Sequence, residues 1–127
     1  MKVGIVGLGF VGLSLTSVLA AKGYSTIGID VDIKKCKQII DGRSPIFEPK
    51  LEKTLREGLK KKLTISNNYS LVKDCDFVFV TVGTPQSSDG SFDLSMIKKS
   101  VKEIGKTMCQ NKKNQIILIK STVTPGT

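Results

Sequence analysis

Gly7, Gly9 and Gly12 follow an apolar run in the spacing Gly-x-Gly-x-x-Gly, and an acid, Asp30, closes the next apolar run. Glycine at the first position allows a tight strand-to-helix turn. At the second it lets the backbone approach a pyrophosphate, and at the third it permits close packing of helix on strand. A helix starting near Phe10 would aim its N-terminal N–H groups and positive dipole end at phosphate oxygens. The stretch Gly7-Leu8-Gly9-Phe10-Val11-Gly12 therefore has the chemistry of a dinucleotide cradle. Asp30 can accept hydrogen bonds from both hydroxyls of an adenosine ribose. Its charge would repel a 2′-phosphate, and no arginine follows to neutralise one, so NAD is favoured over NADP. Such a charge-assisted bond is worth roughly 1.5–3 kcal/mol.

Thr84, preceded by Val82 and Gly83, and Thr122 each follow an apolar run. As residues beyond neighbouring strand ends, they would set hydroxyls and backbone amides beside the nicotinamide half of the cofactor. Cys36, Cys75 and Cys109 have no activating neighbour in the sequence and read as packing residues, not nucleophiles. The chain contains no histidine, which excludes histidine-based catalysis and most zinc sites within it. No metal site and no catalytic residue is expected in these 127 residues.

Alternating strands and helices must position these groups. The patterning predicts strands over Lys2–Val6, Ser25–Ile29, Leu63–Ser66, Asp76–Val82 and Gln115–Lys120. Helices are predicted over Phe10–Lys22, with Val11, Leu15, Val18 and Leu19 facing inward and Gly23 as its stop, and over Asp32–Asp41, which Asp32 caps. Further helices are predicted over Leu51–Lys61, Tyr69–Lys73 and Leu94–Cys109, the last capped by Asp93. A proline-punctuated loop spans 43–49, and an Asp89-Gly90 turn lies in the polar loop 86–91. This alternation implies an α/β fold, a Rossmann-type doubly wound parallel sheet of order 3-2-1-4-5 with right-handed crossovers. Its ligand crevice should open between the first and fourth strands, at their carboxyl ends. Strand five would lie at an exposed edge.

Size and composition fit a single domain over residues 1–127, with 39% hydrophobic and 24% charged residues. No apolar run approaches the roughly 20 residues that span a bilayer, and the glycine-broken N-terminus is no signal peptide. Odd, scattered cysteines suit a reducing compartment, so a cytoplasmic location is expected by default. The net charge of +9 does not make a nucleic-acid binder. The lysine groups 34–37, 60–62, 98–99 and 112–113 are dispersed, arginine is scarce, and aromatic residues are not interleaved with them.

Four segments together resemble the N-terminal part of the UDP-glucose/GDP-mannose 6-dehydrogenase family. They are Gly7–Leu13; Asp30-Val-Asp with the loop Gly42-Arg-Ser-Pro-Ile-Phe-Glu-Pro49; Val82-Gly-Thr-Pro85 with Asp89-Gly-Ser-Phe-Asp93; and Lys120-Ser-Thr-Val-Thr-Pro-Gly-Thr127. The second and third look most similar to UDP-glucose 6-dehydrogenases, while enzymes acting on GDP-mannose or UDP-N-acetylmannosamine are related alternatives. The resemblance implies NAD contacts at Val11, Asp30, Lys35, Thr84 and Thr122. Lys35 alone would read as a solvated helix lysine. The family oxidises a sugar 6-hydroxyl to a carboxylate in two NAD-dependent steps, holding an aldehyde-level intermediate on a cysteine. Its members are about three times longer, and their catalytic residues, sixth strand, substrate domain and dimer contacts lie beyond the point matching Thr127. The expectation is a fragment that binds NAD weakly and has no activity alone, while the full-length enzyme acts on a nucleotide sugar as a homodimer. A different class, an NAD-sensing module of the kind that gates transporters, shares the glycine turn and the strand-two acid.

Overall fold

A computed structural model describes residues 1–86, 88, 90–109 and 113–127. Five strands, β1 (Lys2–Val6), β2 (Ser25–Ile29), β3 (Leu63–Ser66), β4 (Phe77–Val80) and β5 (Ile116–Ile119), form one parallel sheet. Its order is β3-β2-β1-β4-β5, as expected. Central β1 pairs Val6 with Ile29 of β2 and with Val80 of β4, which fixes where the three carboxyl ends meet.

Side chains alternate across the sheet. Val3 and Ile5 point to one face, where they pack with Leu8, Leu13, Ile39 and Leu55 beneath helices α1 (Phe10–Ala21), α2 (Ile33–Ile40) and α3 (Leu51–Leu59). Val6, Ile29, Val78 and Val80 point to the other. There they are covered by Val72 of a 3-10 helix (Tyr69–Asp74) and Ile104 of α4 (Ser95–Met108). Both faces of β4 are thus covered, although Phe77 and Phe79 remain half-buried.

Two sequence expectations need correction. Val11 and Val18 do not face inward: they are 51% and 44% exposed, and the buried face of α1 is Gly12, Leu13, Thr16, Ser17 and Ala20. Small residues win because α1 is pressed close against its neighbours. A Cβ on Gly58 of α3 would stand 2.9 Å from the Cβ of Ala20. The helix is apolar on both sides, so apolar spacing could not choose its inner face. Asp93, in turn, is not the capping residue of α4, which starts at Ser95 with Leu94 at the cap position. It acts one residue earlier, its Oδ1 accepting the Ser95 N–H at 2.8 Å. That bond holds its carboxyl below the ordinary value.

The strands over 76–82 and 115–120 are shorter than predicted, at Phe77–Val80 and Ile116–Ile119. The remaining helices match to within about two residues. Gly23 does stop α1, at φ +94°, with its N–H donating to the Ala20 carbonyl. In the polar loop, Gly90 takes a positive φ of 84°. Asp89, the other half of that expected turn, and Lys112 lie outside the described residues.

Candidate functional site

The three glycines divide the work as their spacing implies, each for a different steric reason. Gly7 has φ +95°, and a Cβ there would meet the Val82 nitrogen at 2.8 Å. At Gly12 a Cβ would fall 1.8 Å from the Gly7 carbonyl oxygen, so the helix can lie this close to the turn only without a side chain. Gly9 is the opposite case. Nothing stands within 4 Å of where its Cβ would be, and its φ of −75° suits any residue. The space over Gly9 is open, and a side chain there would project into it.

Gly9 is also the cap residue of α1 and offers no side-chain acceptor, and the first turn of α1 carries no acid. The N–H groups of Phe10, Val11 and Gly12 have no acceptor within the helix, which begins bonding with Leu13 N–H to the Gly9 carbonyl. Backbone donors and the positive dipole end therefore face unfilled space, the electrostatics that an anion requires. Phe10 and Val11 are exposed at this edge, whereas the Leu8 side chain is wholly buried between sheet and helices.

Asp30 lies one step past β2, only 7% exposed. Its Oδ2 accepts the Leu8 N–H at 2.8 Å and the Lys35 Nζ at 2.9 Å, and its Oδ1 accepts the Asp32 N–H at 3.0 Å. The acid that would bind ribose thus also ties the glycine turn to the strand-two end. Asp32 takes the capping role expected of it, Oδ1 accepting the N–H groups of Lys35 and Lys34. The Lys35 N–H is the larger influence holding the Asp32 carboxyl below its ordinary value.

These groups share a cleft of about 310 Å³ at the carboxyl ends of β1 and β4. Gly7, Gly9, Asp30, Lys35, Val82 and Gly83 line it. Thr84, half-buried, and Thr122, exposed, lie beyond that lining. The Ser121 hydroxyl donates to the Val82 carbonyl at 2.6 Å, which ties the segment after β5 to the residue at the cleft.

The sequence reading missed Thr81 and the wall opposite Asp30. Thr81 donates its hydroxyl to the Gly7 carbonyl at 2.7 Å, stitching the β4 end to the glycine turn. The opposite wall comes from Tyr69, whose hydroxyl is 3.3 Å from Ser100 Oγ, and from Met96 and Lys99 of α4. Val31, one residue past Asp30, also lines the cleft, and both it and Met96 are exposed apolar residues. No local motif announces these residues; the crossover of α4 brings them there.

Cys36 and Cys75 are buried. Burial pushes the Cys75 thiol up to about 11 and raises that of Cys36. Cys109 is exposed at the end of α4. Among the described residues no His/Cys/Asp/Glu group could hold a metal, and no helix is long and apolar enough to cross a membrane.

Known proteins share this fold. Residues 1–127 match the NAD-binding domain of the UDP-glucose/GDP-mannose dehydrogenase family. The chain belongs to this family. Its relatives include GDP-mannose 6-dehydrogenase of Pseudomonas aeruginosa, 37% identical over 129 residues, and UDP-glucose 6-dehydrogenase of Haloferax volcanii, 30% identical over 127 residues. Each alignment covers 100% of this chain but 30% of the relative. The crystal structure of a ternary complex of GDP-mannose dehydrogenase from P. aeruginosa superposes with a TM-score of 0.96 at 37% identity. It covers 99% of this chain and 29% of that one. A UDP-glucose dehydrogenase from Pyrobaculum islandicum gives 0.94 at 31% identity, covering 98% and 29%. The domain is a Rossmann-type NAD-binding unit of an oxidoreductase family, and NAD is the cofactor that family membership assigns to it. The open backbone at Gly9 and the carboxylate at Asp30 fit the adenosine diphosphate portion of that cofactor.

Proposed function

We propose that this chain holds NAD for a nucleotide-sugar 6-dehydrogenase whose sugar-binding and catalytic groups come from outside residues 1–127. The observation that carries the reading is one juxtaposition. The side-chain-free space over Gly9, at the donor end of α1, opens into the same cleft as the Asp30 carboxylate. In this reading the Gly7–Gly12 backbone takes the pyrophosphate and Asp30, with Lys35 beside it, takes the ribose. Val82, Gly83 and Thr84, with Thr122 behind the Ser121 tie, flank the nicotinamide half. Bound NAD supplies the hydride acceptor for oxidation of an alcohol; the residues here bind it and orient it.

The sequence resemblance leaned toward UDP-glucose. GDP-mannose relatives are as similar, at up to 37% identity against 30% and 38% for UDP-glucose relatives, so the reading extends to the nucleotide-sugar class and not to one sugar. Assembly of the whole enzyme as a homodimer belongs to the same proposal. Dehydrogenase relatives over the full chain favour this reading over a transporter-gating sensor.

Calorimetric titration of the 127-residue chain with NAD tests the binding half of the proposal, and saturable heat at one site is expected. Incubation with NAD and UDP-glucose or GDP-mannose tests the other half. No NADH absorbance should develop, and steady NADH production by this chain alone would refute the division of labour.

A further inference from the structure

One peptide of the glycine turn is held at both ends by residues outside the turn. The Gly7 carbonyl accepts the Thr81 hydroxyl at 2.7 Å. The Leu8 N–H, at the other end of the same peptide, donates to Asp30 Oδ2 at 2.8 Å. A trans peptide is planar, with C=O and N–H pointing in opposite directions, so both bonds fix a single rotation. Thr81, one step past β4, has its hydroxyl free for this task. Its own N–H donates to the Val6 carbonyl at 2.8 Å, and its hydroxyl lies farther from that carbonyl, at 3.1 Å, than from Gly7. Among the described residues no backbone N–H donates to the Gly7 carbonyl, which leaves Thr81 as its donor. The carbonyl oxygen lies against the first turn of α1. A Cβ on Gly12 would fall 1.8 Å from it and 2.6 Å from Thr81 Oγ1.

We infer that Thr81 is a positioning residue for the pyrophosphate cradle, acting through the Gly7–Leu8 peptide, an inference that rests on the cofactor reading proposed above. The N–H groups of Phe10, Val11 and Gly12 come directly after this peptide, and their common direction depends on how the chain enters α1. The Thr81 hydroxyl holds that entry from the β4 side, as Asp30 holds it from the β2 side. Without the hydroxyl the Gly7 carbonyl has no donor. The peptide is then held at one end only, beside a glycine whose backbone angles are soft. The donors of the first turn spread over more directions, and an anion that needs several at once binds an arrangement no longer made in advance. The role belongs to the hydroxyl and not to the bulk of the side chain, so valine removes it and serine keeps it.

The experiment compares wild type with Thr81→Val, Thr81→Ser and Thr26→Val. Each is titrated with NAD by calorimetry, melted, and followed by NMR for hydrogen exchange of the Leu8 amide without ligand. Thr26→Val is the control. Thr26 makes the same kind of bond, hydroxyl to the Tyr24 carbonyl at 3.0 Å, near the amino end of β2 and away from the cleft. Thr81→Val should bind NAD about three- to tenfold more weakly, the scale of one neutral hydrogen bond. Its Leu8 amide should exchange at least about fivefold faster, through local opening of the turn. Thr26→Val should melt earlier by a similar few degrees, yet keep NAD affinity and Leu8 exchange within about twofold of wild type. Thr81→Ser should stay within about twofold of wild type in both readings. If Thr81→Val does not fold, Thr81→Ala removes the same hydroxyl with less bulk and takes its place. The inference is overturned if removing the hydroxyl leaves NAD affinity or Leu8 exchange unchanged. It is also overturned if Thr26→Val moves them as much, or if Thr81→Ser behaves like Thr81→Val. Failure of wild type to bind NAD overturns the cofactor reading, whereas the Leu8 exchange still decides whether Thr81 sets the turn, so the two failures are distinct.

Discussion

Placing a valine at Gly9 and an alanine at Gly12 should separate ligand binding from folding within four residues. At Gly9 a Cβ meets nothing within 4 Å, and the backbone at φ −75°, ψ −162° is open to any residue. The stability cost of Gly9→Val is then limited to a poorer helix cap, about 1 kcal/mol or less. The valine nevertheless fills the space through which the pyrophosphate must approach the N–H groups of the first turn. Losing two charge-assisted bonds of roughly 1.5–3 kcal/mol each removes at least about a hundredfold in affinity. At Gly12 the overlap is with backbone, 1.8 Å from the Gly7 carbonyl oxygen, and no rotamer relieves it. Helix and turn must move apart by more than an ångström, with a cost of about 3 kcal/mol or more by the precedent of overpacked cores. For a domain of this length that corresponds to roughly 10–15 °C in Tm. Calorimetry with NAD and thermal melting by circular dichroism, run on both variants, give the full comparison. A Gly9→Val chain that melts near wild type and binds NAD with wild-type affinity would show that the pyrophosphate does not pass over Gly9.

Other residues give shorter tests. Asp30→Ala should weaken NAD by about tenfold to hundredfold while relaxing discrimination against NADP, measured by parallel titrations. It should also lower stability by about 1–3 kcal/mol in urea, because the buried Leu8 N–H loses its acceptor. Tyr69→Phe breaks the hydroxyl contact with Ser100 but keeps the ring in the cleft wall, so NAD affinity should stay within about threefold while Tm falls by a few degrees. The Cys75 thiol is raised from 9.0 to about 11 by burial. Between those values the folded chain keeps a proton that the unfolded chain releases, so stability is full below pH 9.0 and declines as pH rises toward 11. Urea midpoints across that range should fall for wild type, and Cys75→Ala should remove this part of the decline.

What the sequence could show divides by how far apart the cooperating residues are. The glycine turn, Asp30 and the sheet order were legible because each is announced locally. Glycine spacing dictates backbone approach, an acid at a strand end has one direction to face, and helix-length crossovers force a parallel order. The inner face of α1 was not legible. Its apolar residues surround the helix, and Gly12, Thr16, Ser17 and Ala20 were selected by closeness to the turn and to α3, a distance absent from any linear pattern. The wall made by Tyr69, Met96 and Lys99 was illegible for a related reason. Tyrosine in a short turn and methionine on an amphipathic helix are ordinary surface-to-core residues until the crossover sets them opposite Asp30.

Asp30 shows both limits in one residue. Its ribose chemistry could be argued from type and position, but not the state of its acceptors. That state depends on the Leu8 N–H, 22 positions earlier, and on a lysine in the first turn of α2. Positional logic says the acid excludes a 2′-phosphate. The hydrogen bonds show the same carboxylate already paired with the Lys35 ammonium, so the charge that a ligand meets there is that of the pair and not of a lone acid.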